Sequence, residues 1–385
     1  MVEFGSDIMY DILSRLPVKS LCRFRCVCKL WCKYIEDPYL MTIHVKEEPM
    51  PIMFYTELDY LLCRVSLFRT RKSKEITASF ELKKDPIFEF AFKRFPSRFS
   101  KNRFLGYFNG LTLLSQEESH GYTFIVIHPL RKDFYELPTM NKISSFGKKN
   151  LVCGFGFDDS RNVFKIVCVS VKGIGTVVHI MGTNSWREIH QAPSYPMRGE
   201  GVFAHGCVHW LASPHNNERD PHKVIYFDVK QEQFGLINRP TRKNFSLIND
   251  QNGHRLITNQ LVELDGEVGF AYTFYMTNKY NQRHMEVWVL KQKEWVMHCE
   301  FDLKRPLSEY DVKVIGFWNK DGDILMSANK GSKLFVYRLK RDILHEVNVI
   351  GNDGLSSESH IQMYQSDFFL SKHRYGKMLP VLKLR

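Results

Sequence analysis

Residues 7–40 read DIMYDILSRLPVKSLCRFRCVCKLWCKYIEDPYL, and their spacing predicts two or three short helices packed on one another. Apolar residues recur at the three- and four-residue steps of a helix face, namely Ile8, Met9, Ile12, Leu13, Leu16, Leu21, Phe24, Val27, Cys28 and Trp31. Pro17 ends the first helix, because it lacks an N–H, and can begin the next one. Asp37-Pro38 is expected to close the segment. So short a segment buries little apolar surface alone, and its apolar stripe must therefore pack against the rest of the chain or another protein.

The spacing of several of these residues resembles the F-box motif, and the run LSRLPVKSLCRFRCVCKLW (13–31) is similar to plant F-box proteins. Phe4-Gly5 departs from the family, which usually has a Leu-Pro pair there. The resemblance implies that the segment docks on the Skp adaptor, and through it on the cullin, of a Skp–cullin–F-box ubiquitin ligase. The predicted adaptor-binding residues are Ile8, Ile12, Leu13, Leu16, Pro17, Leu21, Val27 and Trp31. The sequence leaves open whether each of them lies at that interface or in the core of the helices.

Beyond residue 50 the pattern changes to short runs of β-branched and aromatic residues separated by Gly, Asn, Asp and Ser, which predicts many short antiparallel strands. Five stretches share a strand, a polar turn and a second strand with a bulky residue: FIVIHPLRKDFYEL, VVHIMGTNSWREI, VIYFDVKQEQFGLI, EVWVLKQKEWVMH and LFVYRLKRDILHEV. The bulky residues are Phe134, Trp186, Phe234, Trp295 and Ile343. The units recur at roughly 50 residues, the period of propeller blades. A further hairpin within 51–80 makes about six units, enough to close a ring without exposed edge strands.

The expected fold is therefore α+β overall, with a small helical domain followed by an all-β propeller-like domain of about six blades. The expected divisions are a helical domain over 1–45, a β domain over 50–350 and a segment over 351–385 that completes or flanks the β domain. A two-sheet sandwich is the alternative, although roughly 330 residues are long for one sandwich.

Six landmarks in the β region resemble the plant F-box-associated interaction domain: GYFNGL (106–111), HP (128–129), CGFGFD (153–158), TNSWREI (183–189), HWL (209–211) and EVWVL (286–290). The resemblance implies that the β domain binds a target protein and that the chain is the substrate-recognition subunit of the ligase, a non-catalytic adaptor without a cofactor. The long insertions 213–223 and 275–284 are candidate target-binding loops, because propellers usually bind through loops on one face.

The 385-residue chain has a formal net charge of +12 at pH 7. Its basic residues lie in small dispersed clusters, so a solvated surface that attracts an acidic protein target is favoured over nucleic-acid binding. The alternative function is a ligase-independent module that binds protein or nucleic acid through a basic β-propeller surface. Nine scattered cysteines, and the absence of a signal-like or membrane-spanning apolar run, predict the cytosol or the nucleus.

Two sets of residues have the types, but not the spacing, of metal ligands. Cys22, Cys26, Cys28 and Cys32 lie among core-spaced apolar residues, whereas structural zinc sites pair ligands across a turn. His205 and His209 are four residues apart in a predicted strand-turn-strand, where a four-residue step spans about 13 Å along one face. No metal is therefore expected at either place.

The glycines and acidic pairs of the β region also have structural interpretations. Gly154 and Gly156 lack the third glycine and the helix of a dinucleotide-binding loop, so they are interpreted as strand glycines that allow close packing. Asp158-Asp159 and Asp321-Gly322-Asp323 are interpreted as turns rather than calcium loops. No nucleophile elbow is present. A propeller enzyme would need carboxylates or metal ligands clustered in a central channel, and the sequence shows no such set.

Overall fold

The computed structural model describes residues 5–16, 18–35, 37–43, 50–54, 66–67, 69–70, 79–81, 103–108, 111–117, 121–128, 133–141, 151–161, 163–170, 175–214, 222–240, 255–276, 282–304, 307–328, 333–350, 360–364 and 382–383. Phe4 and Pro17 lie outside these residues, whereas Gly5 is among them. Among the described residues, no helix combines the length and the apolar character needed to cross a lipid bilayer.

Four short helices form the N-terminal part: α1 (Ser6–Ser14), α2 (Val18–Phe24), α3 (Lys29–Ile35) and α4 (Pro38–Ile43). The prediction that Asp37-Pro38 closes the segment is wrong, because α4 begins there. Proline is well tolerated at the first position of a helix. Asp37 caps the helix, since its Oδ1 accepts a hydrogen bond from the backbone N–H of Tyr39 at 2.8 Å. We refer to residues 6–43 as the helical segment.

The helical segment has a core of its own. Met9, Leu13, Leu21, Ile35 and Leu40 form one buried cluster, to which every one of the four helices contributes. Full burial of such a side chain stabilises a fold by about 1.5–3 kcal/mol. The Tyr10 hydroxyl donates a hydrogen bond to Asp37 Oδ2 at 2.6 Å, which ties α1 to the start of α4 and raises the pKa of Tyr10 to about 12. The predicted stripe therefore packs in part on itself.

The rest of the described chain is almost entirely β. The first strands are β1 (Met50–Phe54), β2 (Ser66–Leu67), β3 (Arg69–Thr70), β4 (Ser79–Glu81), β5 (Arg103–Phe108), β6 (Leu111–Glu117), β7 (Gly121–His128), β8 (Asp133–Glu136) and β9 (Met140–Asn141). The next are β10 (Leu151–Asp158), β11 (Val163–Ser170), β12 (Thr176–Ile180), β13 (Trp186–Ile189), β14 (Met197–Ala204), β15 (Cys207–Ala212), β16 (Lys223–Asp228) and β17 (Gln233–Asn238). The last are β18 (Arg255–Leu264), β19 (Glu267–Met276), β20 (Gln282–Lys291), β21 (Glu294–Leu303), β22 (Val312–Phe317), β23 (Ile324–Ala328), β24 (Lys333–Arg338), β25 (Ile343–Ile350), β26 (His360–Tyr364) and β27 (Leu382–Lys383).

These strands form sheets built from consecutive antiparallel hairpins. Three sheets have four strands each, in the orders β10-β11-β12-β13, β14-β15-β16-β17 and β18-β19-β20-β21. Two larger sheets contain the same four-strand meander: β22 to β25 is extended by β4 and β3, and β5 to β8 is extended by β27, with β9 paired to β7. The sixth sheet, β2-β1-β26, joins the start of the β region to its end, with Ile52 opposite Gln362.

The sheets succeed one another in space as they do in sequence. The first strands of neighbouring meanders contact each other, β5 with β10, β10 with β14, β14 with β18 and β18 with β22, and β22 contacts β26. Buried clusters fill the spaces between consecutive sheets; one of them joins Val152 of β10 to Trp210 of β15 and Phe227 of β16. Six described sheets stacked in this way form a mostly β, propeller-like arrangement and do not fit the two-sheet sandwich alternative.

The five repeated sequence stretches are the third and fourth strands of the five meanders, which confirms the prediction of repeated hairpins. Two of the bulky residues also have equivalent contacts. The Trp186 indole N–H donates to the carbonyl of Pro138 at 2.7 Å, and the Trp295 indole N–H donates to the carbonyl of Asn238 at 2.7 Å. Each bond joins a fourth strand to the end of the fourth strand in the preceding sheet, so each of these two tryptophans holds two neighbouring sheets together.

Gly154 and Gly156 allow close packing between two sheets, as predicted. A Cβ at Gly154 would lie 2.3 Å from Val208 Cγ1 and 2.4 Å from Trp210 Cζ2. The Trp210 side chain is fully buried and its indole N–H donates to the carbonyl of Cys153 at 3.1 Å, so the ring has little freedom to move away.

We expect Gly154→Ala to lower the free energy of unfolding by about 1–3 kcal/mol, since an added methyl group in a tightly packed core forces neighbours to shift. Urea denaturation followed by tryptophan fluorescence measures the change. Gly106→Ala is the matched control, because its nearest contact beyond chain neighbours would be an ordinary 3.6 Å. Equal stability of the two variants would contradict the close packing at Gly154.

Candidate partner-binding surface

The structure divides the predicted adaptor-binding residues into three groups. Leu13 and Leu21 are completely buried in the core of the helical segment. Leu16 and Trp31 are half-buried against that core. The remaining described ones, Ile8, Ile12 and Val27, are exposed to solvent. Pro17 lies outside the described residues, so its prediction is not addressed by the structure.

Exposed apolar residues are concentrated on the helical segment. Among the described residues eight large apolar side chains are exposed, and five of them belong to this short segment: Ile8, Ile12, Val27, Leu30 and Tyr39, which are between 44% and 63% exposed. We call these five residues the exposed apolar set. Contiguous or clustered exposed apolar surface is characteristic of interaction sites. The other three, Leu236, Val296 and Ile343, are scattered over different sheets of the β region.

Local geometry explains why Ile8 and Ile12 point outward. They are four residues apart on α1 and therefore share one face of the helix, whereas Met9 and Leu13 share the face that packs on the other helices. Leu30 and Tyr39 were missed by the sequence analysis. Helical spacing shows which residues share a face, but it does not show which face the other helices cover. It therefore could not distinguish Leu30 from its apolar neighbours.

One ion pair lies beside Ile12 on α1 and is largely exposed to solvent. Arg15 Nη2 lies 2.7 Å from Asp11 Oδ1 at an i,i+4 spacing on α1, and both side chains are largely exposed. Exposed pairs of this kind contribute only about 0–1 kcal/mol. The pair therefore adds little to helix stability.

The candidate target-binding loops occupy equivalent places in two sheets. The predicted range 213–223 contains the connection from β15 to β16, and the range 275–284 contains the connection from β19 to β20 together with the adjoining ends of these two strands. Each connection links the second strand of a sheet to the third. Equivalent connections of repeated meanders are expected at the same end of such a domain. Residues 215–221 and 277–281 lie outside the described residues, so the target-binding role of these loops stays a prediction.

The two histidines with four-residue spacing are strand and turn residues, as the sequence predicted. His205 and Gly206 form the two-residue turn between β14 and β15, with φ values of +50° and +76°, which suits a type I′ hairpin. His209 lies on β15 and is buried, and burial lowers its pKa to about 4. The exposed His205 instead contacts Glu267 of the next sheet, with 2.5 Å between Nε2 and Oε2.

The acidic pairs are also accounted for by local structure. Asp321 and Gly322 lie in the turn between β22 and β23, where Gly322 has a φ of +81°. Asp323 accepts hydrogen bonds from Asn319 and from the backbone of Leu339. Asp158 lies at the end of β10 and pairs with the buried Lys165. These contacts confirm the turn interpretation for 321–323 and assign Asp158 a structural partner.

Potential metal ligands converge elsewhere. Within the described part of the chain, one set of three or more such side chains comes together, and it consists of His284, Glu286 and Glu300 in the sheet β18 to β21. Cys26, Cys28 and Cys32 are free thiols that do not belong to such a set, and the side chain of Cys22 is outside the described residues.

Comparison with known proteins matches both parts of the chain. Residues 3–42 match the F-box domain family, and residues 64–371 match the family described as F-box associated beta propeller domain. F-box protein At1g47340 of Arabidopsis thaliana is 22% identical over 376 residues, which are 91% of this chain and 76% of that protein. F-box protein At2g23160 of the same plant is 24% identical over 75% of this chain and 97% of its own length.

Two further matches are more limited. A third F-box relative from Arabidopsis thaliana is 26% identical, and the match covers 63% of this chain and 63% of the relative. Among solved structures, an alpha-L-arabinanase of Penicillium chrysogenum aligns with a TM-score of 0.37 and 10% identity over 64% of this chain and 79% of that chain. A TM-score and a sequence identity this low support no conclusion about fold or function.

Proposed function

We propose that this chain, which belongs to the family of F-box proteins with an F-box-associated β-propeller domain, is the substrate-recognition subunit of a Skp–cullin–F-box ubiquitin ligase. The helical segment docks on the Skp adaptor and, through it, on the cullin. The β domain binds the target protein. No catalytic group on this chain is required, because holding a target lysine beside the ubiquitin thioester raises its effective concentration.

The observation that carries this proposal is the exposed apolar set. The helical segment buries Leu13 and Leu21 in its own core but leaves Ile8, Ile12 and Val27 in water. Leaving large apolar side chains exposed forfeits about 1.5–3 kcal/mol for each one that a partner would bury. Docking on an adaptor recovers this free energy, and the buried residues shape the helices that present the surface.

For the β domain we propose a closed ring of six blades. Five meanders follow one another in space, and the pairing of β1 with β26 supplies a sheet that contains both ends of the region. Joining the two ends in one sheet is an effective way to close a ring of repeats and to protect edge strands. Under this proposal residues 1–45 form the docking domain, and residues beyond 350 complete the β domain of 50–350.

The proposed docking surface is tested by substituting two exposed residues on one helix face. We expect Ile8→Ala combined with Ile12→Ala to weaken binding of the Skp adaptor about tenfold or more, because two apolar contacts are removed. Binding is measured by titration of purified adaptor against the full chain.

The matched control is Val296→Ala combined with Ile343→Ala, which removes two exposed apolar side chains from the β region. It should leave adaptor binding unchanged. Equal adaptor affinity of the Ile8/Ile12 variant and the wild type would refute the docking surface.

A further inference from the structure

Three side chains on two neighbouring strands form a possible metal site. The ligand atoms of His284 and Glu286 on β20 and of Glu300 on β21 all lie within 4.8 Å of one another. In the antiparallel pair β20–β21, Glu286 is opposite Glu300 and His284 is opposite Asp302. Residues two apart on a strand point to the same side of the sheet. The strand register therefore places four side chains that could hold or support a metal on one face.

His284 has the environment of a metal-binding histidine. Its Nδ1 lies 2.8 Å from Asp302 Oδ1, and the residue is 8% exposed. Its Nε2 is buried, has no hydrogen-bond partner among the described residues and lies 3.7 Å from Glu300 Oε2. When Nδ1 carries the proton and donates it to Asp302, Nε2 presents a lone pair. A carboxylate that orients a histidine in this way is the usual outer support of a zinc ligand.

The distance between Nε2 and Glu300 Oε2 fits two ligands of one ion. At 3.7 Å the two atoms are too far apart for a hydrogen bond. Tetrahedral zinc has bonds of about 2.0–2.2 Å, which places two of its ligand atoms about 3.3–3.6 Å apart. A small rotation of the half-exposed Glu300 side chain would complete this geometry.

Glu286 is a fully buried carboxylate held in place by neutral donors. Its Oε2 accepts hydrogen bonds from the Tyr272 hydroxyl and from the Trp288 indole N–H, the latter at 3.0 Å. These bonds orient the carboxylate. Carboxylate oxygens are among the ligands that zinc takes in proteins, and the ligand atom of Glu286 lies within 4.8 Å of those of His284 and Glu300.

We propose that His284, Glu286 and Glu300 bind a zinc ion, with Asp302 as a positioning residue. The imidazole favours zinc over calcium and magnesium, which prefer all-oxygen sites. The site lies on the face of the sheet that packs towards the preceding one, where Tyr272 and Phe274 share a buried cluster with Leu211 and Val224. Three protein ligands leave a fourth position for water on the exposed Glu300 side. The ion joins β20 to β21 near the start of β20.

The test is isothermal titration of zinc chloride into the purified full chain after treatment with a chelator. We expect the wild type to bind one zinc ion through this site. Glu300→Gln should lower the zinc affinity about tenfold or more, since a charged ligand becomes neutral. Asp302→Asn should lower it about 10- to 100-fold, as removal of such outer partners does.

Glu346→Gln is the matched control, because the Glu346 side chain is 44% exposed and that of Glu300 is 43% exposed. This variant should bind zinc as the wild type does. All variants keep the nine cysteines. Any zinc bound by thiols is therefore the same in each variant and cannot cause a difference in zinc affinity between them. Zinc should also raise the melting temperature of the wild type more than that of Glu300→Gln.

Two results would overturn the proposal. One is a wild type that takes up no zinc. The other is a pair of variants, Glu300→Gln and Asp302→Asn, whose zinc affinity equals that of the wild type, since the metal would then be bound elsewhere. Both substitutions are at partly exposed positions, so the test does not depend on whether a variant of the buried His284 folds.

Discussion

Lys165→Met is expected to lower the free energy of unfolding by about 3–5 kcal/mol, because it leaves a buried carboxylate without its cation. Lys165 and Asp158 are both fully buried, and the Lys165 ammonium lies 3.0 Å from Asp158 Oδ2. Urea denaturation of the full chain measures the loss. Hydrogen exchange in β10 and β11 locates it, since the residues lie on these two strands.

Lys165 also joins two sheets. From β11 its ammonium donates to the carbonyl of Val229 at 2.7 Å and contacts Glu232 Oε1 at 3.0 Å, and both of these residues follow β16 in the next sheet. Methionine has a similar volume, so the expected loss comes from charge and hydrogen bonding rather than from a cavity. Because Lys165 holds its two sheets together, the Lys165→Met variant should also weaken the contact between them.

The effect should depend on pH. Burial acts to raise the pKa of Asp158, but hydrogen bonds from Ser160 and Lys165 outweigh it, and the pKa lies below its ordinary value. The pKa of Glu232 is also lowered, because bonds from Arg187 and Lys165 outweigh its burial. Carboxyl groups with a lowered folded-state pKa stabilise the fold above their ordinary pKa, and this stability is lost as the pH falls through the folded-state value. The difference between wild type and Lys165→Met should therefore be largest near pH 7 and shrink below about pH 4.

Arg187→Met is the matched control for this prediction. Arg187 pairs with the same Glu232 at 2.7 Å, but its side chain is 51% exposed. Solvent-exposed pairs contribute about 0–1 kcal/mol, so this variant should lose far less stability than Lys165→Met. If the two substitutions cost the same, or if the cost of Lys165→Met did not change with pH, the assignment of the loss to a buried charge would be wrong.

The repeated hairpins could be predicted from the sequence because their signals are local. A strand, a polar turn and a bulky residue lie within about 14 neighbouring residues, and side-chain alternation identifies strands directly. The bulky position of each repeat was therefore found. The hydrogen bonds that Trp186 and Trp295 donate to the preceding sheet could not be found, since the acceptor of Trp186 is 48 residues away and that of Trp295 is 57 residues away.

Pairings between distant segments could not be predicted for the same reason. β26 pairs with β1 although the strands are some 300 residues apart, and nothing in the run HIQMY (360–364) identifies its partner. The cluster of His284, Glu286 and Glu300 depends on the register between two strands. A shift of one residue would turn these side chains to the other face, so only the paired sheet shows that they meet.

The helical segment shows a third limit. Helical periodicity placed Ile12 and Leu13 in one stripe, yet Leu13 is fully buried and Ile12 is exposed. Adjacent residues on a helix are about 100° apart around its axis, so both can belong to a broad apolar stripe while only one faces the neighbouring helices. Which of them is covered depends on how α1 packs on α3 and α4, and this requires the structure.

Leu13→Ala is therefore expected to unfold the helical segment. Removing a buried leucine costs about 2–5 kcal/mol, and a segment of this size has little stability to spare. Hydrogen exchange measured by mass spectrometry should show loss of protection across α1 to α4, with β10 to β25 unchanged. Binding of the Skp adaptor should be lost with it, because the exposed apolar set is presented by these helices.

Ile12→Ala is the neighbouring substitution that separates docking from folding. Ile12 is exposed, so its loss should leave hydrogen exchange in the helical segment as in the wild type while adaptor binding weakens. The two variants thus change neighbouring positions of α1, of which Leu13 is covered by the other helices and Ile12 is exposed. If Leu13→Ala kept its protection but lost binding, Leu13 would be an interface residue and the core assignment would fail. Side chains that are covered by other residues stabilise the helices, whereas exposed ones do not. If Ile12→Ala lost its protection from hydrogen exchange, the exposed apolar set would therefore be part of the fold rather than a docking surface.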